Sequence, residues 1–590
     1  MVSSAAATDI PVSAADASWF GHPRQLARLF TTEMWERFGF YGMRALLVLY
    51  LTKHFIFSDE AAGGMYGAYM SLVYLTPFIG GILADRYLGS KRAVKFGAIV
   101  MCLGYFTLCF GGENAKPYAE YDGARHAVSI EKAADGDARY VVDQGQRLRV
   151  HGKSDGSVEL LRADGTPART IAGAEFHSGA TRSPMFLAIM LAALSMVVIG
   201  NGFFKANVAT MVGALYFQGD KRRDAGFTIF YMGINLGSIL SQLLCPVFAD
   251  MFGWWAGFGL AAAGMLISFA LVQFDGGRLA EVGNPPPRTG RDPLPMIALG
   301  TVGAVGIAYL LFQNTLSAAP AVPGQGLVGY ILGLTVLGKA LFFTFLAAVI
   351  GIPIWSARVG TKAEAQMMLA AIVLVVFNVT FWTLFEQAGS SLTLFADRNT
   401  NLSVFGLFTL SAGQTQFFNA FFIVTLAPVF SGLWIALAKR GIEPGIPVKF
   451  GIALIGVGLG FLALVWGTHY AGPDFKVAIW WLALLYLIHS VAELCISPVG
   501  LSMITKLSIA RIVGMMMGMW YLSIAMAEYV GGAVAQLGSV ATVAGEVTNP
   551  RLSLETYAHL FTRIGVISAL IGVGLLALSP VIRKWMHGVT

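Results

Sequence analysis

The sequence predicts an all-α polytopic membrane protein. Its composition and the length of its apolar stretches are the two observations behind that prediction. Of its 590 residues, 56% are hydrophobic and 12% are charged, about half the charged fraction of an average soluble protein. Stretches such as 93–112, 185–217 and 564–582 are almost purely apolar, and each reaches the ~20 residues that cross a bilayer core. The N-terminus has neither a basic start nor an apolar core, so we expect no cleaved signal peptide.

The apolar stretches form two groups of six with a pair between them. The fourteen predicted spans are 26–53, 61–84, 93–112, 185–217, 226–247, 253–274, 294–313, 327–351, 367–390, 413–437, 447–467, 477–501, 511–538 and 556–582. The layout favours two six-helix bundles joined by an inserted helix pair. We expect a cytoplasmic tail at 1–20, a first bundle at 21–274, a linker and helix pair at 275–365, and a second bundle at 366–590.

Basic residues predict the orientation of the chain in the membrane. Lys and Arg concentrate in the loops on the side of the N-terminus, whereas the short loops on the other side hold Lys53, Arg398, Lys476 and Arg551. Cytoplasmic loops carry the excess of basic residues in membrane proteins, so both termini are expected in the cytoplasm. The net charge of +7 reflects this asymmetry and does not indicate a nucleic-acid partner.

One outer loop, residues 113–183, is long and polar. The runs ARYVVDQ, QRLRVHG, GSVELLRADG and ARTIAG alternate apolar and polar residues and are broken by Gly, Asp and Pro. That pattern is typical of short strands joined by turns. We therefore expect a small β-rich extracytoplasmic insertion, which is either a structural lid or an insertion without a role of its own.

Ionisable residues deep in a membrane span are costly, and by default they mark a transport pathway or a binding site. Those well inside the predicted spans are Glu33, Glu36, Arg37, Arg44, Lys205, Glu386 and Glu493. Glu528 and Arg563 lie nearer the ends of their spans, where a side chain reaches water by snorkelling. We expect structural roles for those two residues.

The first span carries its charges on one face. Glu33, Arg37, Tyr41 and Arg44 are spaced i, i+4, i+8 and i+11, which places them in one stripe along a helix. Such a stripe on an apolar helix must face a bundle interior or a water-filled cavity.

The deep charges do not balance, because three bases face four acids. One carboxylate is left without a basic partner, and an unpaired carboxylate in a low dielectric tends to take up a proton. This favours a proton-coupled carrier, in which protonation changes the partner of a neighbouring base. The alternative is a set of static ion pairs that brace the bundle. The carrier fits better because the acids lie on several spans and in both halves.

Several segments resemble the proton-coupled oligopeptide transporter (POT) family of the major facilitator superfamily. EMWERFGFYG, at 33–42, is similar to the family signature E-x-x-E-R-F-x-Y-Y-G, and FYMGINLGS, at 230–238, is similar to its second signature. GGILADRYLGSKR, FFKANV, FWTLFEQ and AELCISPVGLS also match family segments in order. The resemblance implies a major facilitator fold of twelve core helices, to which bacterial members add a helix pair. It covers the chain apart from 1–20 and 113–183.

The resemblance also implies which residues couple protons to transport. That set comprises Glu33, Glu36, Arg37, Arg44, Lys205 and Glu386. Arg37 and Lys205 would bind the peptide carboxylate and also pair with the two acids of the ExxER motif. Glu386 would take up a proton and pair with Arg44 to close the extracytoplasmic gate.

A second set of residues would bind the peptide, namely Arg37, Tyr41, Tyr74, Lys205, Asn235, Trp382, Asn419, Glu493, Trp520 and Ser523. Glu493, with Asn235 and Asn419, would hold the amino terminus, and the aromatic residues would line side-chain pockets. A peptide ends in a cation and an anion, so bases on one half and an acid on the other select zwitterions. Phe40 departs from the signature and removes one tyrosine hydroxyl, which affects side-chain preference.

Other classes of protein fit the sequence less well. A membrane-embedded enzyme would need a metal or nucleophile site, but there is no HExxH motif, and no second histidine stands at ligand spacing from His489 and Glu493. A channel fits the doubled, charge-paired layout less well than a carrier with alternating access does. A nitrate carrier would not need Glu493 for an amine. The four cysteines lie within apolar spans and indicate no disulfide framework.

We therefore expect a proton-coupled symporter that imports di- and tripeptides across the bacterial inner membrane. The expected partners are peptides, protons and the lipid bilayer, with no nucleic acid. The protein is expected to be a monomer, to be no enzyme and to bind no cofactor or metal.

Overall fold

Long helices form most of the structure, and one β-sheet covers one end of them. The computed structural model of the chain describes residues 17–133, 136–153, 155–217, 219–220, 222–277, 279, 282–286, 291–318 and 326–589. The greater part of the expected tail at 1–20 thus lies outside the described residues. The α-helices are α1 (Arg24–Leu49), α2 (Asp59–Leu83), α3 (Ser90–Leu108), α4 (Pro184–Gly213), α5 (Arg223–Phe252), α6 (Trp254–Gln273), α7 (Leu294–Leu316), α8 (Gly326–Gly333), α9 (Val336–Val359), α10 (Lys362–Phe385), α11 (Ser391–Asn399), α12 (Phe417–Lys439), α13 (Ile446–Thr468), α14 (Ile479–Leu507), α15 (Val513–Gln536) and α16 (Pro550–Trp585).

The helices confirm the predicted arrangement of six, two and six. Twelve helices in the described part of the chain are long and apolar enough to cross a membrane. Helices α1 and α3 carry clustered charges, and they are the other two of the fourteen predicted spans. Helices α1–α6 pack into one bundle, and α10 packs with α12–α16 into the other. The extra pair lies outside both, with α7 against α2 and α4, and α9 against α10 and α15.

One predicted span has the wrong bounds. The sequence predicts a single helix over 327–351, but α8 ends at Gly333 and α9 begins at Val336, after a gap of two residues. Thr335 caps α9, and its hydroxyl accepts a hydrogen bond from the Gly338 amide at 3.1 Å. A threonine in this position starts a new helix, and hydropathy averaged over a window does not detect that start.

Helix α1 is enclosed by protein on nearly all sides. Its charged stripe faces the interior between the two bundles, whereas Leu46 and Leu47 on the apolar side are buried where α5 and α6 pack on α1. Gly42 permits the close approach of α5, because a Cβ there would lie 2.5 Å from the sulfur of Cys245. The apolar face of this helix therefore contacts other helices.

The segment between α3 and α4 folds into an antiparallel sheet of seven strands, which confirms the predicted β-rich insertion. After β1 (Ala17–Trp19) and β2 (His22–Pro23) near the N-terminus, the strands of this sheet are β3 (Lys116–Tyr121), β4 (Ala124–Ala133), β5 (Gly136–Asp143), β6 (Gln146–Gly152), β7 (Val158–Leu161), β8 (Pro167–Ile171) and β9 (His177–Thr181). Their order is β8-β7-β6-β5-β4-β3-β9. The chain thus meanders from β3 to β8 and then returns to pair β9 with β3.

The remaining strands are pairs of two residues each. They are β10 (Thr400–Asn401) with β13 (Val477–Ala478), β11 (Ser403–Val404) with β12 (Phe408–Thr409), and β14 (Thr542–Val543) with β15 (Glu546–Val547). The hairpin of β14 and β15 connects α15 to α16 and therefore belongs to the second bundle.

The sheet of the insertion packs on that hairpin. Val543 and Ala544 belong to the same apolar cluster as the buried side chains of the sheet. The Gly152 amide donates a hydrogen bond to the Thr548 carbonyl at 3.1 Å. The Ser178 hydroxyl donates a hydrogen bond to the Thr542 carbonyl at 2.5 Å. The insertion leaves and re-enters the first bundle, so it fastens the two bundles together at one end, which we call the insertion side.

Candidate functional site

The charged residues of α1 form a buried cluster with Asn201 of α4. Arg37 forms a two-hydrogen-bond ion pair with Glu36, one bond from Nε and one from Nη2 at 2.6 Å. Its Nε also lies 3.5 Å from Glu33 Oε1, and its Nη2 donates to Asn201 Oδ1 at 3.3 Å. The other Glu33 oxygen is buried without a hydrogen-bond partner. One base is therefore shared by two carboxylates.

Lys205 of α4 lies beside this cluster but has no ion-pair partner within the described residues. Its ammonium lies 4.1 Å from the centre of the Tyr74 ring on α2, a cation–π contact. Glu33, Glu36 and Arg37 are near enough to act on it electrostatically. The pairing of Lys205 with the ExxER acids that the resemblance implies is thus not formed in this conformation.

The second bundle contributes an acid to the same interior. Glu493 of α14 is buried, and its Oε2 accepts a hydrogen bond from Asn419 Nδ2 of α12 at 3.2 Å. The same amide nitrogen donates to Ser490 Oγ at 3.0 Å. Two helices thus orient a carboxylate that forms no ion pair with any described residue.

Open space lies beside Tyr231 of α5, where side chains of both bundles come near one another. Tyr231 of α5 is 43% exposed, yet it lies close enough to Glu493 and Tyr41 to interact electrostatically with both. Tyr41 is half-buried on the charged face of α1. Asn235 lies one turn from Tyr231 and donates to its carbonyl at 3.1 Å. An exposed side chain that faces both bundles requires open space between them.

Asn378 of α10 links three of the predicted residues, although the sequence did not single it out. Its Oδ1 accepts a hydrogen bond from Trp382 Nε1 at 3.0 Å, and its Nδ2 donates to Ser523 Oγ at 3.0 Å. Ser523 is fully buried, and its hydroxyl donates to the Trp520 carbonyl at 2.7 Å. In this conformation the Ser523 hydroxyl is thus engaged with Asn378 and the Trp520 carbonyl, and its expected role in peptide binding stays a prediction.

Arg44 closes the interior toward the insertion side. Its guanidinium forms an ion pair with Glu386, and its Nε donates to the Tyr66 hydroxyl of α2 at 2.8 Å. Glu386 lies in a 3₁₀ turn, Glu386–Gly389, between α10 and α11, and not inside a continuous span as predicted. The ion pair joins the two bundles, which is the pairing that the resemblance implies for the gate.

Two more ion pairs join the bundles on the insertion side. Arg398 of α11 donates two hydrogen bonds to Asp59 of α2, at 2.6 and 2.7 Å, and both side chains are at most 2% exposed. Lys53 lies 2.5 Å from Asp397, with its side chain 32% exposed. In the sequence both bases look like ordinary loop charges, since nothing in the local pattern reveals a partner more than three hundred residues away.

Helices α2 and α15, one from each bundle, cross in direct backbone contact. A Cβ on Gly67 would lie 2.8 Å from Gly532 Cα and 3.0 Å from the Glu528 carbonyl oxygen. Any larger residue at this crossing would hold the bundles apart. The interior between the bundles is thus closed on the insertion side.

Glu528 of α15 corrects one prediction. The sequence predicts that its side chain snorkels to water, but it is 2% exposed, and its Oε1 has no hydrogen-bond partner. Within the described chain, no Lys or Arg nitrogen lies within 4.0 Å of its carboxylate. The helix continues to Gln536 and packs closely on α2, which shields this position from solvent. The interior therefore holds two carboxylates more than bases, and not one as predicted.

Comparisons with known proteins agree with this architecture. The sequence model of the POT family matches residues 91–294 and 334–551. The "Uncharacterized transporter YclF" of Bacillus subtilis (strain 168) is 31% identical over 580 residues, which cover 97% of this chain and 96% of that protein. Dipeptide and tripeptide permease A of Klebsiella pneumoniae (strain 342) is 29% identical over 582 residues, with coverage of 98% and 96%. A crystal structure of peptide transporter POT in complex with sulfate matches with a TM-score of 0.72 at 30% identity, over 98% of this chain and 99% of that one. The family match and these nearly full-length similarities show that the chain belongs to the POT family, the proton-coupled oligopeptide transporters.

Proposed function

We propose that this protein is a symporter that imports di- and tripeptides by using a proton gradient. The observation that carries the proposal is the charge arrangement of the interior, with Arg37 and Lys205 on the first bundle, Glu493 on the second, and more acids than bases. Relatives named dipeptide and tripeptide permease A, similar over nearly their whole length, support the same class of substrate.

The two ends of a peptide fit the two sides of the cavity. Lys205 has no carboxylate partner among the residues that the structure describes, so its ammonium is available to the peptide carboxylate. Glu493 is held by Asn419 and accepts the peptide ammonium in a charge-assisted hydrogen bond, which is stronger than a neutral one. The half-buried rings of Tyr41 and Tyr74 offer apolar surface to varied side chains. An inorganic anion such as nitrate would use the bases but leave the acid without a ligand.

Proton coupling follows from the sharing of bases. Glu33 and Glu36 both depend on Arg37, so a peptide carboxylate that draws Arg37 away leaves buried acids that favour protonation. At the gate, protonation of Glu386 removes its charge and releases Arg44, which allows the bundles to separate on the insertion side. Proton binding and opening are thereby linked.

We further propose that the insertion side is extracytoplasmic and that both termini are cytoplasmic, in the bacterial inner membrane. The support is the excess of Lys and Arg in the loops of the opposite side. In this orientation the cavity opens to the cytoplasm. We also propose a monomer without enzymatic activity or cofactor, with segments bounded at 1–20, 21–274, 275–365 and 366–590. Within the described residues, no group of three or more His, Cys, Asp or Glu side chains could hold a metal ion.

Uptake into liposomes tests the proposal. A labelled dipeptide should accumulate only under an inward proton gradient or an inside-negative potential. Equal accumulation without either force would reject proton coupling. Counterflow of labelled dipeptide and of nitrate, measured in parallel, separates peptide carriers from anion carriers, and exchange of nitrate alone would reject the peptide substrate.

A further inference from the structure

Glu528 is a buried acid for which the proposed transport cycle has no role so far. It lies on α15 at the interface between the bundles. The titratable and charged groups near enough to interact with it electrostatically come from four other elements. They are Tyr66 and Tyr74 of α2, Glu386 after α10, Arg44 of α1 and Lys205 of α4. The neighbouring Tyr529 instead bonds to Thr335 before α9, at 2.8 Å.

Among the described residues, the gate contains one base, Arg44, for two acids, Glu386 and Glu528. Arg44 directs its hydrogen bonds to Glu386 and Tyr66, and none of them reaches Glu528. An ionised carboxylate that is buried without an ion pair or hydrogen bonds costs several kcal/mol, and binding a proton removes that cost. Among the described acids at the gate, Glu528 is therefore the one suited to hold a proton while Arg44 is paired with Glu386.

We propose that Glu528 is a proton relay, which accepts the proton that Glu386 gives up when Glu386 pairs with Arg44. The proposal rests on the proposed proton-coupled function. In the transfer, the O–H bond of protonated Glu386 breaks and an O–H bond forms on Glu528. Glu386 becomes the anion that binds Arg44, Glu528 becomes neutral, and the charge of the gate is unchanged. Lys205 is near enough to Glu528 to interact with it electrostatically.

The test compares proton-driven uptake with counterflow in the same liposomes, because counterflow requires no net proton movement. In Glu528→Gln, proton-driven accumulation should fall about 100-fold, the scale of a lost proton-transfer group, while counterflow changes by less than about twofold. Glu528→Asp, which keeps a carboxylate, should recover part of the driven uptake. Glu555→Gln is the matched control, because that acid is exposed on α16 and its ion pair is with Arg551.

Infrared spectroscopy of the purified protein provides a readout that does not depend on transport. At neutral pH the band of protonated carboxyl groups should decrease in Glu528→Gln and remain in Glu555→Gln. An unchanged band in Glu528→Gln would overturn the proposal, and so would driven uptake at the wild-type level. Loss of counterflow together with driven uptake would also overturn it, since that result indicates a structural role. If the wild-type protein shows no proton-driven uptake while the band still decreases, the proposed function fails but the assignment of the proton to Glu528 stands.

Discussion

Replacing Asp59 by asparagine should open the insertion side of the transporter. Both side chains of the Asp59–Arg398 pair are at most 2% exposed, so solvent does not screen the attraction between them. Removing one partner of a buried pair costs ~3–5 kcal/mol, because the other charge stays buried without compensation. If separation of the bundles exposes Arg398 to water, the cost falls on the closed form alone. The ratio of open to closed molecules should therefore rise by roughly two to four orders of magnitude.

The distance between spin labels across the outer rim measures this shift. Suitable positions are Glu113, which follows α3 at the start of the insertion, and Leu407, between β11 and β12 of the second bundle, both of them exposed. Asp397→Asn is the matched control, because its partner Lys53 lies as close, at 2.5 Å, but is 32% exposed. A pair of that kind is worth ~1 kcal/mol or less, which is about fivefold at most. Equal shifts in the two variants would refute the reasoning that burial, and not distance, sets the strength of these pairs.

Three further predictions address the cavity and the helix crossing. Glu493→Gln should weaken binding of peptides with a free amino terminus by about tenfold or more, which is the effect of losing a charge-assisted contact. Binding of N-blocked peptides should be unchanged. An equal loss of affinity for both kinds of peptide in a competition assay would show that Glu493 does not bind the amine. Glu36→Gln and Lys205→Ala should each abolish proton-driven uptake, and the double variant should be no worse than the worse single one; additive penalties would show that the two residues act independently. Gly67→Ala should favour the open form, because its Cβ would lie 2.8 Å from Gly532 Cα. Gly63→Ala should be tolerated, because the nearest atom to its Cβ would be 3.4 Å away. Spin-label distances that do not differ between the two variants would contradict this account of the crossing.

The fold could be predicted from the sequence because the membrane imposes simple rules. Bilayer thickness fixes the length of a spanning helix, and buried backbone groups must bond within the helix itself. Charges on an apolar helix then stand out, which is why Glu33, Arg37 and Arg44 could be assigned to one interior face. The break before α9 escaped prediction because one capping threonine decides it, and a single residue hardly changes the mean hydropathy.

The parts of the site that escaped prediction depend on contacts between distant segments. Asp59 and Arg398 each look like loop charges, and only the closed arrangement of both bundles buries them together. For Glu528, position along the helix indicated access to water, but the glycine crossing of α2 and α15 removes that access. Asn378 is an unremarkable polar residue in sequence, and it matters because two other side chains bond to its amide.

The sheet of the insertion also constrains the order in which the protein can mature during synthesis. Its strands emerge from the ribosome with the first bundle, but its apolar core includes Val543 and Ala544, which are made only after most of the second bundle. Until then, the apolar face of the sheet that these two residues cover remains exposed. The insertion can therefore complete its folding only after the hairpin of β14 and β15 has been synthesised. A chain truncated before residue 542 should leave the sheet accessible to proteases and to association with other chains.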